Sequence, residues 1–187
     1  GIDLSEEDKR RPYVEVSGRK GLGVKADDLI DKLIETALAE VDHRHAGKDP
    51  EERRRVATQI AVGALRYFML KFTRNSVIAF DFHEALSFEG ETGPYVQYAA
   101  VRAAKILGKW LDRGALPDFN SVLTAAVLER QLTSDDLWQL LLAASKVYSS
   151  VEQAITSGEP AHVAKYAFQL AQAFNNFYHG DNVLQEQ

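Results

Sequence analysis

Apolar residues recur every three or four positions through most of this chain, a spacing that predicts helices buried along one face. Polar or proline-containing segments separate the apolar stripes. Three stripes are preceded by residues suited to cap a helix, namely Asp27, Asp49 and Ser134. The stripes cover residues 29–41, 56–70, 137–148 and 163–177. Short loops between helices predict an all-α bundle.

Two segments depart from the helical spacing. Residues 13–16, YVEV, alternate and lead into a glycine-rich loop, so we expect a short strand and loop at the N-terminus. Residues 75–82, NSVIAFDF, also alternate, which is typical of a short strand or of an extended connector packed on a helix pair. A further short helix is predicted near residues 121–130.

The charge is unevenly distributed along the chain. The 187 residues carry a formal net charge of −5, and the excess of acidic residues lies after position 75. This balance argues against a protein that coats DNA through bulk charge, so contact with nucleic acid would depend on stacking and shape at a local site. The sequence contains no cysteine, which excludes disulfides and thiolate chemistry. It also has no apolar run of the roughly 20 residues that a membrane helix needs.

The most specific candidate site lies in residues 90–112. Tyr95, Tyr98 and Arg102 share one face of a predicted helix, because they are separated by three and four positions. Two aromatic rings and a guanidinium on one face are suited to stacking on bases and holding a phosphate. The alternative is that the rings pack in the core with their hydroxyls at its edge.

A second candidate site is the loop SGRKGLG at residues 17–23. Arg19 and Lys20, on a glycine-rich loop, are suited to neutralising a polyphosphate, although the loop lacks the standard phosphate-binding patterns. The alternative is a solvated turn. The five histidines show no metal-binding spacing, so no metal site is predicted.

Three blocks of sequence follow one another along the chain: SGRKGLGVKADDLID, QIAVGALRYFMLKFTRNSVIAFDFHEALSFEGETGPYVQYA and FQLAQAFNNFYH. In this order they resemble bacterial-type arginyl-tRNA synthetases. The resemblance extends from about Tyr13 to His179.

The resemblance implies a class I enzyme that activates arginine with ATP and magnesium and esterifies it to its tRNA. By that match Arg19 and Lys20 lie in the second ATP signature loop, in a degenerate form, and would neutralise charge on the departing pyrophosphate. Tyr95, Gln97, Tyr98, Arg102 and Tyr178 would contact arginine tRNA or support its anticodon loop.

The same resemblance implies a domain organisation. Residues 1–25 would be a remnant of the catalytic domain, 26–83 a helical connecting segment and 84–187 a helical anticodon-binding domain of the class I synthetase type without its last helix. The first class I signature and the nucleotide-binding fold are not found in this sequence. We therefore expect the isolated chain to bind no cofactor and to be inactive as a ligase, whereas the parent enzyme would use ATP.

The implied partner is arginine tRNA in the cytoplasm, with no role for DNA or a membrane. Apolar surface exposed by truncation predicts a dimer. An alternative is a free-standing, synthetase-derived module that binds proteins, which the acidic character after position 75 favours.

Overall fold

The computed structural model describes residues 25–112 and 134–180, together with Arg10, Gly114, 124–126 and Glu129 as separate positions. Within these residues all regular secondary structure longer than one residue is α-helical, so the all-α prediction is confirmed. The predicted strand at 13–16 lies outside the described residues, as does most of the helix predicted at 121–130. The helices are α1 (Ala26–Arg44), α2 (Pro50–Leu70), α3 (Phe82–Leu86), α4 (Gly93–Leu111), α5 (Asp135–Ser145), α6 (Val147–Ser157) and α7 (Ala161–Gly180).

Two of the three predicted helix caps are confirmed. The Asp49 carboxylate accepts hydrogen bonds from the backbone N–H groups of Glu51 and Glu52, and Ser134 Oγ accepts one from Leu137 N. The prediction for Asp27 is wrong, because α1 already begins at Ala26 and Lys25 occupies the cap position without a side-chain bond. Asp27 lies in the first turn, where its charge still favours the helix dipole.

A hydrophobic core lies between α1 and α2. Leu33, Ala37 and Val41 are buried one turn apart on α1 and face Ala57 and Ala61 of α2. The small alanine side chains allow the two helices to pack closely. Partly buried residues surround this centre: Leu29, Ile34, Leu38, Val56, Ile60, Leu65, Phe80, Phe82 and Leu86.

The segment at 75–82 is an extended connector, because residues 77–81 have no regular structure and α3 begins at Phe82. Its aromatic side chains pack against one another and against Phe68 of α2, and its backbone pairs with no strand among the described residues. The Phe80 ring lies 4.8 Å from that of Phe68 and 5.3 Å from that of Phe82, both edge to face. The alternating apolar residues of this segment therefore reflect packing of one side against a helix and not a strand in a sheet.

The backbones of α2 and α4 approach closely where the helices cross, because Gly93 has no side chain. A Cβ atom at Gly93 would lie 2.7 Å from the Gly63 carbonyl oxygen and 2.8 Å from Ala64 Cα. Both neighbours are backbone atoms of α2, so neither can rotate away. The start of α4 is thereby fixed against the middle of α2.

We expect Gly93→Ala to lower the free energy of unfolding by about 1–3 kcal/mol, because the two helix backbones must separate to admit the methyl group. Urea denaturation measures the change. Gly108→Ala is the matched control on the same helix, since a Cβ there has nothing within 4 Å. It should be neutral or stabilising, by up to about 1 kcal/mol. Equal destabilisation by both substitutions would contradict the close crossing.

The end of α2 is also bonded to α7 and to the loop before α4. Tyr67 Oη lies 3.2 Å from the Ala164 carbonyl oxygen and 3.4 Å from Glu91 Oε1. Burial, with the Glu91 carboxylate nearby, raises the pKa of the Tyr67 phenol, so the hydroxyl remains a donor. Arg74 donates to Glu159 and to the Ser157 carbonyl, and its hydrogen bonds lower the pKa of Glu159. These contacts hold α7 in a defined position relative to α2 and α4.

Candidate functional site

The start of α4 sets the direction of every candidate side chain on that helix. Thr92 is buried and caps the helix, with Oγ1 accepting from Tyr95 N at 3.3 Å and donating to the Ser87 carbonyl at 2.6 Å. Pro94 fills the first turn and is also buried. The sequence around Gly93 therefore defines where α4 begins and which face it turns toward α7.

Two of the predicted site residues make inward contacts. The half-buried ring of Tyr95 lies 5.4 Å from the Phe168 ring of α7. Gln97 Nε2 donates to the Gln59 carbonyl of α2 at 3.1 Å, while its buried Oε1 has no hydrogen-bond partner. Tyr95 and Gln97 thus join α4 to its neighbours on either side.

Tyr98, Arg102 and Tyr178 come together at the contact between α4 and α7. The Arg102 guanidinium carbon lies 4.6 Å from the centre of the Tyr98 ring and 4.4 Å from the centre of the Tyr178 ring. Arg102 Nη2 also donates to Tyr98 Oη at 3.0 Å. The Tyr98 side chain nevertheless remains 51% exposed. We refer to these three residues as the aromatic–arginine cluster.

Asn175 of α7 holds the other side of the guanidinium. Its Oδ1 accepts a hydrogen bond of 3.0 Å from Arg102 Nη1, and the residue is only 8% exposed. An arginine carries five N–H donors in one plane, so three remain after the bonds to Asn175 and Tyr98. Tyr98 and Tyr178 lie against the same guanidinium, and within the described residues its hydrogen bonds go only to Asn175 and Tyr98.

The cluster continues along α7 through further aromatic side chains. Tyr178 is stacked on Phe174, with ring centres 6.3 Å apart, and meets the His179 ring edge to face at 5.7 Å. Phe174 and His179 of α7 contact the Tyr178 ring, and Arg102 of α4 contacts it as well, so its orientation is fixed from both helices. The surface at this contact is therefore preorganised by neighbours on both helices.

The structure brings together three of the residues predicted from the sequence, Tyr98, Arg102 and Tyr178, with one that was not predicted, Asn175. Tyr98 and Arg102 followed from their spacing of four, and Tyr178 from its sequence block. Asn175 was missed, although a signal existed: it occupies a position on the apolar face of α7 that includes Ala164, Phe168 and Ala171. A polar residue in such a stripe indicates a buried hydrogen-bond partner.

The second candidate site cannot be placed, because Arg19 and Lys20 lie outside the described residues. Among the residues that are described, no three histidine, aspartate or glutamate side chains are grouped to hold a metal ion. None of the described helices combines the length and apolar character needed to cross a bilayer.

A broad groove of about 1630 Å³ lies between α1, α2, α3 and α4, and Tyr98 contributes to its lining. Its apolar surface includes Val62, Phe88 and Val101. Two of its cations are paired with carboxylates within the chain, Arg44 with Glu40 at 2.6 Å and Lys48 with Glu52 at 2.7 Å.

Comparison with known proteins places these features in a family context. Residues 96–187 match the DALR anticodon binding domain. The chain is 34% identical over 177 residues to an arginine–tRNA ligase of Pyrococcus furiosus, covering 94% of this chain and 28% of that protein. It is 35% identical over 170 residues to the arginine–tRNA ligase of Lactococcus lactis subsp. lactis, covering 91% and 28% respectively.

Solved structures agree with the sequence relatives. The arginyl-tRNA synthetase of Thermus thermophilus superposes with a TM-score of 0.69 at 30% identity, over 88% of this chain and 25% of that one. That of Plasmodium falciparum gives a TM-score of 0.67 at 25% identity, over 87% and 28%. The chain thus spans less than a third of the length of these relatives. The resemblance seen in the sequence blocks is confirmed.

Proposed function

We propose that this chain binds arginine tRNA through the aromatic–arginine cluster. The premise is that the chain is homologous to the arginyl-tRNA synthetases and contains their DALR anticodon binding domain in residues 96–187. The observation that carries the proposal is the meeting of Tyr98, Arg102 and Tyr178 at the contact of α4 and α7. Each member has a distinct task that follows from its exposure and bonding.

Tyr98 offers a stacking surface for an unpaired base, because about half of its side chain is exposed while Arg102 fixes its hydroxyl. Base–aromatic stacking contributes about 1–3 kcal/mol per base and suits loop nucleotides, whose bases are free of partners. Tyr178, held by Phe174, borders the same surface. Tyr95 and Gln97 support it by fixing α4 on α7 and α2.

Arg102 offers an anion contact. Tyr98 and Tyr178 lie against its planar group, so a base has little room to stack there, but its free N–H donors match a phosphate oxygen approaching in the guanidinium plane. A local contact of this kind is what an acidic chain needs, since bulk attraction to RNA is weak at a net charge of −5. Selectivity then comes from the fit of a loop to the cluster.

The remaining functional assignments concern the longer relatives. We propose that Arg19 and Lys20 serve the ATP phosphates, with magnesium, only where a complete nucleotide-binding domain accompanies them. Cytoplasmic localisation and the absence of roles with DNA or membranes follow from the same proposed role in protein synthesis. Formation of a dimer and the domain boundaries at residues 25/26 and 83/84 remain predictions.

Filter binding with arginine tRNA and with a second tRNA tests the proposal. We expect selective binding that Tyr98→Ala weakens by about 5- to 150-fold, the equivalent of about 1–3 kcal/mol of stacking. Tyr148→Ala is the matched control, because Tyr148 is 86% exposed on α6 and lies outside the cluster. It should leave binding unchanged. Equal effects of the two substitutions would contradict a stacking role for Tyr98.

The alternative function is a protein-interaction module. The apolar part of the groove between α1, α2, α3 and α4 favours it, since Val101 and Phe88 are exposed there. This alternative predicts no tRNA binding even at low salt, whereas the leading proposal predicts binding that salt weakens. The same titration therefore separates the two.

A further inference from the structure

Asn175 is the one nearly buried polar side chain in contact with the cluster, among the residues that the structure describes. It lies on α7, three positions before Tyr178, and its Oδ1 accepts from Arg102 Nη1 at 3.0 Å. The bond joins residues 73 positions apart and ties α4 to α7 at the cluster. Most buried polar groups are hydrogen-bonded, since an unmade bond costs about 1–3 kcal/mol.

The chemistry of the acceptor is informative. An amide oxygen orients a guanidinium without cancelling its charge, whereas a carboxylate in the same place would form a charge-neutralising ion pair. Within the described residues Arg102 has hydrogen bonds to Asn175 and Tyr98 and no ion pair with a carboxylate. Tyr98 and Tyr178 add attraction from their electron-rich faces but no formal charge.

We infer that Asn175 is a positioning residue, which orients the remaining N–H donors of Arg102 toward an RNA phosphate while leaving the positive charge uncompensated. The inference rests on the proposed tRNA binding and adds the reason for an amide at this position. A neutral acceptor supplies geometry, and the free charge of Arg102 supplies the phosphate contact. Asn175 does not itself touch RNA in this account.

Asn175→Asp is the sharpest test, because it keeps the size and shape of the side chain while replacing the neutral amide with a negatively charged carboxylate. We expect the aspartate to pair with Arg102, lower the affinity for arginine tRNA by about tenfold and reduce the slope of log affinity against log salt by about 0.7, the value of one single-strand phosphate contact. Titrations between about 50 and 200 mM salt measure the slope. Urea denaturation should show a fold at least as stable as that of the unsubstituted chain.

Asn175→Ala separates orientation from charge. The alanine removes the acceptor but leaves the charge of Arg102, so affinity should fall several-fold while the salt slope stays that of the original chain. If Asn175 had only a structural role, the slope of log affinity against log salt would be the same for Asn175→Asp and Asn175→Ala. If Asn175→Asp does not fold, the alanine variant decides, and unchanged tRNA affinity in it would overturn the inference.

The failures of the two proposals are distinguishable. If the unsubstituted chain does not bind arginine tRNA at about 50 mM salt, the tRNA proposal and this inference fall together. If it binds, and Asn175→Asp binds with the same affinity and slope, only the positioning role of Asn175 is wrong.

Discussion

Replacing Arg102 with methionine is expected to lower the affinity for arginine tRNA by about two orders of magnitude, or roughly 3 kcal/mol. A charge-assisted hydrogen bond to phosphate accounts for about 1.5–3 kcal/mol of this. The rest comes from Tyr98 and Tyr178, which lose the group that both rings contact and that bonds the Tyr98 hydroxyl. Filter-binding titration at several salt concentrations measures both the affinity and the lost phosphate contact.

The control for this prediction is Arg54→Met, which removes the same charge from an exposed position near the start of α2. It should change affinity by less than about threefold, since an isolated surface charge acts only through the screened field of the protein. Arg102→Met also leaves Asn175 Oδ1 buried without a donor, at a cost of about 1–3 kcal/mol of stability. Binding is therefore compared at a temperature where circular dichroism shows the variant folded. Similar losses in both variants would mean that only net charge matters.

Phe68→Ala is expected to reduce the free energy of unfolding by about 3–5 kcal/mol. Phe68 is 2% exposed and is among the largest fully buried side chains of the described residues. Its ring contacts those of Phe72 at 5.6 Å and Phe80 at 4.8 Å, and the Lys71 ammonium lies 4.9 Å from its centre. Truncation leaves a cavity and frees Phe80, which anchors the connector between α2 and α3. Urea denaturation followed by circular dichroism gives the change.

Phe88→Ala is the matched control for that measurement. Phe88 is 39% exposed and is covered on one face by the Arg44 guanidinium at 5.2 Å. Its removal should cost under about 1.5 kcal/mol, because little area is taken from the core and one exposed cation–π contact contributes about 0.5–1 kcal/mol. A loss at Phe88 as large as that at Phe68 would contradict the assignment of Phe68 to the core.

The sequence by itself determined the local structure. Periodic apolar stripes predicted the helices, and Asp49 and Ser134 marked two helix starts correctly, because a capping bond spans only two or three residues. Tyr98 and Arg102 could be paired from their spacing of four, since a helix brings such positions together whatever surrounds it. The family resemblance also followed from sequence, as its blocks are contiguous runs.

Only the tertiary structure decided which side chains meet across helices. Gln97 and Tyr98 are adjacent in sequence, yet Gln97 bonds to α2 and Tyr98 joins the cluster with α7, because consecutive positions on a helix point about 100° apart. The connector at 75–82 alternates like a strand but packs against Phe68, since no second strand adjoins it within the described residues. Asn175 and Arg102 meet only because α4 and α7 pack together, and no local rule of sequence spacing reaches across 73 residues.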